Sequence, residues 1–177
     1  MADKTNEMIR KIAITGPEST GKSELCSQLA VHYSTVWVPE YARDYLNKID
    51  RPYTYDDILE IARGQIKNED YWGRKANEYL FCDTELIVAK IWCEVKYHQC
   101  HPWILEMIGK NHYDLYLLCN IDLPWEYDPQ REHPGLRQCL FDLYYKELSE
   151  RNLPFFIISG KGKDRMINAI SIIDKYH

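Results

Sequence analysis

Eight consecutive residues, Gly16-Pro17-Glu18-Ser19-Thr20-Gly21-Lys22-Ser23, satisfy G-x-x-x-x-G-K-[ST] at every fixed position. That spacing is suited to gripping a polyphosphate. The two glycines let the backbone turn its N–H groups inward around a β-phosphate. Lys22 reaches the β- and γ-phosphates as a point charge, and the Ser23 hydroxyl sits where a bridging magnesium ion needs a ligand. The sequence therefore predicts binding of a nucleoside triphosphate, ATP with Mg2+, along residues 16–23.

Other residues could act on a phosphate held there. Asp83 ends the apolar run Tyr79-Leu80-Phe81-Cys82, the position of the acidic residue that serves the metal in phosphate-loop proteins, although a strand-end carboxylate is also a common helix cap. Glu40 and Asp44 are the candidates to activate a hydroxyl, with Arg43 between them as a partner for either in a plain ion pair. Residues 124–137, Pro124 to Arg137, read as a lid over the triphosphate. Arg131 and Arg137 in it supply charge to a transferring phosphoryl group, and an ordinary solvated loop is the competing reading. Ser159-Gly160-Lys161-Gly162-Lys163-Asp164-Arg165 looks like a second glycine-lysine loop but lacks the spacing, and is expected to border the adenine or to cap a helix. Cys93, His98, Cys100 and His101 crowd together without a C-x-x-C hook, which favours packing over zinc.

Positioning these groups takes a parallel sheet. Short apolar runs at Lys11 to Thr15, Thr35 to Val38, Tyr79 to Cys82, Tyr113 to Cys119 and Phe155 to Ser159 read as strands buried on both faces. Between them, helical spacing recurs over Lys22 to Tyr33, Tyr55 to about Trp72, Thr84 to Tyr97, Trp103 to Lys110, Pro134 to Arg151 and Asp164 to Tyr176. The predicted fold is α/β: a P-loop NTPase with a five-stranded parallel sheet, helices on both faces and a lid segment. Ligands of such sheets bind beyond the strand C-terminal ends, where the loop, Glu40 and Asp83 all fall.

The 177 residues, 45% of them hydrophobic, suit one domain spanning 1–177. A net charge of -5 argues against a nucleic-acid or anionic-membrane partner. No apolar run of membrane-spanning length occurs, and Met1 to Glu7 is polar with no hydrophobic stretch after it, so the sequence predicts a cytoplasmic protein. Its six cysteines are expected to be free thiols. Oligomeric state is left open, a homo-oligomer included.

Taken together, the phosphate loop, Glu40-Tyr41-Ala42-Arg43-Asp44-Tyr45, Phe81-Cys82-Asp83-Thr84, and Pro124-Trp125 followed by Asp128, Arg131 and Arg137 make the chain resemble the NadR-type ribosylnicotinamide kinase domain, a branch of the phosphate-loop nucleoside kinases. The resemblance implies transfer of the ATP γ-phosphate to the 5′-hydroxyl of a riboside, nicotinamide riboside first, giving a place in NAD biosynthesis. It assigns Glu40 or Asp44 to the sugar, Asp83 to the metal and the arginines to phosphates. Pro39 stands where the family often has an aromatic residue, so Tyr41, Tyr45 or Trp125 would have to stack on the ring. Family members are often fused to an adenylyltransferase and a DNA-binding region, for which this sequence has no room.

A nucleotide-dependent regulator, ATPase or GTPase, is the alternative from another class. The sequence has no N-K-x-D guanine motif, and the D-x-x-G look-alike Asp70-Tyr71-Trp72-Gly73 falls in a predicted helix. An oligomeric remodelling ATPase would need a further helical subdomain.

Overall fold

The structure, a computed structural model, describes residues 8–176. The polar segment 1–7, read above as no leader, lies outside the described residues. Five strands, β1 (Arg10–Thr15), β2 (Val36–Val38), β3 (Tyr79–Asp83), β4 (Leu115–Cys119) and β5 (Phe155–Ile158), form one sheet in the order β2-β3-β1-β4-β5. Every pairing is parallel, with Ile14 opposite Asp83 and Thr15 opposite Leu118. The carboxyl ends of the central strands therefore align along one edge, and the loops that leave them share one crevice.

The crossovers are α1 (Lys22–His32), α2 (Tyr41–Lys48), α3 (Tyr55–Gly73), α4 (Leu86–Tyr97), α5 (Pro102–Lys110), α6 (Arg137–Glu150) and α7 (Lys163–Tyr176). Alternation along β1 sorts them to two faces. Ile12 and Ile14 point into a core with Leu25, Leu29 and Ala30 of α1 and Ala169 and Ile173 of α7. Ala13 points the other way, into a core with Ile58 of α3, Ile87 of α4, Ile104 of α5 and Leu140 of α6. The helices thus cover both faces, as a parallel sheet requires.

The strand reading needs one correction. β1, β3 and β4 are buried on both faces, but the edge strands are not. β2 is only part-buried, and on β5 Phe156 and Ile157 are 43% and 41% exposed. Residues 41–48, for which the sequence predicted no helix, form α2, with Glu40 in extended conformation just before it. This helix is eight residues long and has no buried residue, although Tyr41, Ala42, Tyr45 and Leu46 share one face, so its stripe was too short to mark it in the sequence. It leans on α3 through Tyr41, whose ring lies against Gly64; a Cβ on Gly64 would fall 2.0 Å from that ring. Helix starts also shift: α4 begins at Leu86 rather than Thr84, because Glu85 is its cap, and α6 begins at Arg137 rather than Pro134. Residues 120–136 between β4 and α6 hold no helix or strand. Among the described residues, no helix is long and apolar enough to cross a membrane.

Candidate functional site

The loop after β1 has the backbone its sequence predicts. Gly16 has φ +129, and a Cβ there would come 3.0 Å from the Cys119 carbonyl oxygen of β4, so no side chain fits. Gly21 precedes α1 in left-handed conformation, and no side chain caps the helix. The first-turn N–H groups of α1 are thereby left to an incoming anion, which the helix dipole also favours. Lys22 Nζ donates to the Pro17 carbonyl at 2.7 Å, and Thr20 Oγ1 donates to the same oxygen at 2.8 Å. A phosphate oxygen would offer Lys22 a charged acceptor in place of a neutral one, about twice as strong a hydrogen bond.

Asp83 sits behind this loop at the end of β3, 1% exposed. The Ser23 hydroxyl donates to its Oδ2, while Oδ1 is a buried oxygen with no hydrogen-bond partner. Burial first, and the Glu40 charge second, push the Asp83 carboxyl up to about 7, against the opposing pull of Lys22, the Ser23 hydrogen bond and Arg43. An orphaned carboxylate oxygen beside the hydroxyl of a triphosphate loop fits magnesium, a hard cation that takes one or two carboxylates together with phosphate oxygens. Its neighbour Glu85 is spent otherwise. It accepts the Ile87 N–H at 2.6 Å as the cap of α4 and the Thr15 hydroxyl at 2.9 Å, and burial pushes it too up to about 7.

A cavity of about 460 Å3 opens over the loop. Its walls include residues 16–23, the apolar and aromatic side chains Val88, Ile91, Trp92 and Val95 of α4 and Leu140 and Tyr144 of α6, and the charged residues Glu40, Arg43, Arg131 and Glu132. The candidates separate accordingly. Lys22, Ser23, Glu40 and Arg131 are in the walls, and Asp83 stands just behind Ser23. Asp44 is not in the walls: Glu40 precedes α2 in extended conformation, whereas Asp44 lies within the helix on its exposed side. Arg137 is not a wall residue either; it donates to the Ser19 carbonyl at 3.1 Å and the Leu123 carbonyl at 2.9 Å, which ties α6 to the loop.

The ring-stacking candidates are also corrected. Tyr41 is occupied by Gly64, Tyr45 donates to Asp57 at 2.7 Å, and Trp125 lies 5.9 Å from the Arg137 guanidinium carbon; none lines the cavity. The aromatic walls are Trp92 and Tyr144, which helical periodicity alone reads as ordinary core. Trp92 had a signal in position, since α4 follows directly on Asp83-Thr84-Glu85, whereas Tyr144 on α6 had none. The second glycine-lysine loop reaches the cavity through Gly162 and Arg165. Arg165, 4% exposed, spends its guanidinium on the Gly160, Ile158 and Asn120 carbonyls and on Asp122. Near the cysteines, His101 stacks on Tyr55 at 3.7 Å, and its Nε2 lies 3.0 Å from the Tyr55 carbonyl oxygen.

Segment 120–136 crosses the cavity and is fastened on both sides. Arg43 pairs with Asp128 at 2.8 Å, and Gln130 donates to Asn47 at 2.7 Å. On the loop side, the Ser19 hydroxyl accepts the Glu126 N–H at 2.9 Å, and the Glu18 carboxylate accepts the N–H groups of Glu132 and His133 at 3.3 and 3.2 Å. Burial alone would raise the Glu132 carboxyl, but the Tyr53 hydroxyl and the Lys96 ammonium hold it below its ordinary range.

Comparison with known proteins bears on the family and the fold. Residues 11–165 match the model of a family described as AAA domain. The chain is 28% identical over 172 residues to the trifunctional NAD biosynthesis/regulator protein NadR of Salmonella typhimurium and, equally, to that of Escherichia coli, matching 93% of this chain and 42% of each relative. It therefore spans less than half the length of these relatives. A crystal structure of NadR in complex with NR superposes with a TM-score of 0.78 at 22% identity, over 95% of this chain and 50% of that one. A thymidylate kinase from Ehrlichia chaffeensis superposes with a TM-score of 0.65 at 13% identity, over 95% and 98%. The fold is that of the phosphate-loop kinases, and the chain belongs to the AAA domain family as a relative of NadR.

Proposed function

We propose that the chain is an ATP-dependent kinase that transfers the γ-phosphate to the 5′-hydroxyl of a riboside, nicotinamide riboside in particular. The observation that carries this reading is that one cavity is lined both by a triphosphate loop and by the apolar and aromatic residues of α4 and α6, with the Glu40 carboxylate also in its wall. A phosphoryl acceptor needs such a chamber, whereas a nucleotide switch needs only the loop. Two flat aromatic walls suit a planar ring, and face contact with a cationic ring adds a cation–π contribution. The relatives named for NAD biosynthesis, and the separate NadR structure in complex with NR, support the choice of riboside.

In this reading the N–H groups of residues 16–23 and the start of α1 hold the triphosphate, and Lys22 exchanges the Pro17 carbonyl for β- and γ-oxygens. Ser23 and the free Oδ1 of Asp83 would hold magnesium, whose charge offsets that of the phosphates. Glu40, in the cavity wall, accepts the proton of the attacking hydroxyl. Arg131 from the segment above supplies positive charge toward the phosphoryl group in flight, and that segment acts as the lid that keeps water out.

The test is an ADP-release assay over a panel of ribosides, deoxynucleosides and vitamins, run beside Lys22→Ala. A riboside-dependent signal that the substitution abolishes supports the kinase. Turnover indifferent to every acceptor would favour the nucleotide-dependent regulator instead.

A further inference from the structure

A continuous set of hydrogen bonds leads from the wall of the acceptor chamber to the phosphate loop, and it passes through the lid. Trp92, whose ring lines the chamber, donates Nε1–H to the Tyr53 oxygen at 2.9 Å. Tyr53 donates its own hydroxyl hydrogen bond to Glu132 Oε2 at 2.6 Å. Glu132 in turn donates its backbone N–H to Glu18 Oε1 at 3.3 Å, and the next residue, His133, donates to Glu18 Oε2 at 3.2 Å. Lys96 braces the middle of the chain, donating to Tyr53 at 2.5 Å and to Glu132 at 3.1 Å. Glu18 belongs to the phosphate loop, so one network joins α4, Tyr53 two residues before α3, the lid and the loop.

We propose that Tyr53 and the Glu18 side chain are positioning residues that couple occupancy of the acceptor chamber to lid closure over the phosphates, and so restrain ATP hydrolysis when no acceptor is present. This rests on the kinase reading of the same site. A ring seated on Trp92 fixes that indole, which fixes the Tyr53 hydroxyl, which fixes Glu132 and through it the lid backbone on Glu18. The Glu18 carboxylate accepts the Glu132 and His133 hydrogen bonds from the lid backbone, so its job is to register the lid rather than to bind phosphate. The lid is the element that such coupling would move: it has neither helix nor strand of its own, and the contacts that hold it come from the elements around it.

The experiment compares wild type with Tyr53→Phe, Glu18→Gln and the double variant in two ways. Amide hydrogen exchange is followed with and without a non-hydrolysable ATP analogue and Mg2+, and phosphoryl transfer to nicotinamide riboside is measured beside acceptor-free ATP hydrolysis. Each single variant should speed exchange at residues 124–136 about tenfold while α1 and β4 keep wild-type exchange, and should raise the hydrolysis-to-transfer ratio by a similar factor. The double variant should do no more than either single one, because both break the same chain. Unchanged lid exchange, faster exchange spread over the whole protein, or strictly additive effects would each overturn the coupling. A wild type without riboside-dependent turnover would count against the kinase reading instead, and the exchange data would still decide the link between Tyr53 and the lid.

Discussion

Replacing Asp83 with asparagine should stabilise the nucleotide-free protein at alkaline pH while abolishing its response to magnesium and ATP. The Asp83 carboxyl is buried with an unpartnered oxygen and is pushed from its ordinary 3.8 up to about 7. The folded chain thus holds this proton more tightly than the unfolded chain does. Folding takes up a proton between these two values, so the stability of the apo protein falls as pH rises through that window and levels off above about 7. At about pH 8 the ionised carboxylate opposes folding by about 4 kcal/mol; at about pH 5 the cost is less than half of that. Asparagine carries no charge and keeps an oxygen for the Ser23 hydroxyl, but its amide protons would lack partners at a cost of about 1–3 kcal/mol. The net gain at about pH 8 is about 2 kcal/mol, a rise of about 5 °C in Tm for a chain of this size, vanishing at about pH 5. The assay is thermal unfolding at both pH values, with and without MgATP. Glu85, also pushed up to about 7, contributes the same slope in both proteins and drops out of the comparison. Ligand should raise the wild-type Tm and leave the variant nearly unmoved. Equal shifts at the two pH values, or a destabilised variant at about pH 8, would refute the claim that Asp83 is a strained, metal-seeking carboxylate.

Two further substitutions probe other parts of the account. Glu40→Gln should lower kcat by about 100- to 1,000-fold with ATP affinity held within about threefold, measured by steady-state kinetics and calorimetry, because it removes a proton acceptor and not a phosphate contact. Gly64→Ala should destabilise by about 1–3 kcal/mol in urea unfolding, and should raise KM for the acceptor more than it lowers kcat, since the new methyl group displaces Tyr41 and with it the helix that Glu40 begins.

Much of the molecule was written in local sequence. All five strands were legible because three of them are continuous apolar runs flanked by turn residues, and the edge strands β2 and β5 kept enough β-branched and aromatic residues to read alike. The phosphate loop was legible because two of its glycines meet backbone demands that hardly any other residue meets. Helix α2 was not, since Pro39 reads as a breaker and the apolar face after it runs for only eight residues. Glu40 and Asp44 looked equivalent in sequence. Only the change from extended to helical backbone between them separates one in the cavity wall from one at the surface. Trp92 and Tyr144 were hidden for a different reason: a helix face that lines a chamber carries the same apolar stripe as one that fills a core. The Glu18 latch depends on residues more than a hundred positions apart, which no local pattern records.

The most direct test of the central claim is to incubate the protein with MgATP and nicotinamide riboside and to identify the products by mass spectrometry and phosphorus NMR. The account predicts a riboside 5′-monophosphate formed in step with ADP, one for one, and none from Lys22→Ala. Release of ADP with inorganic phosphate, at the same rate whether or not a riboside is present, would contradict it.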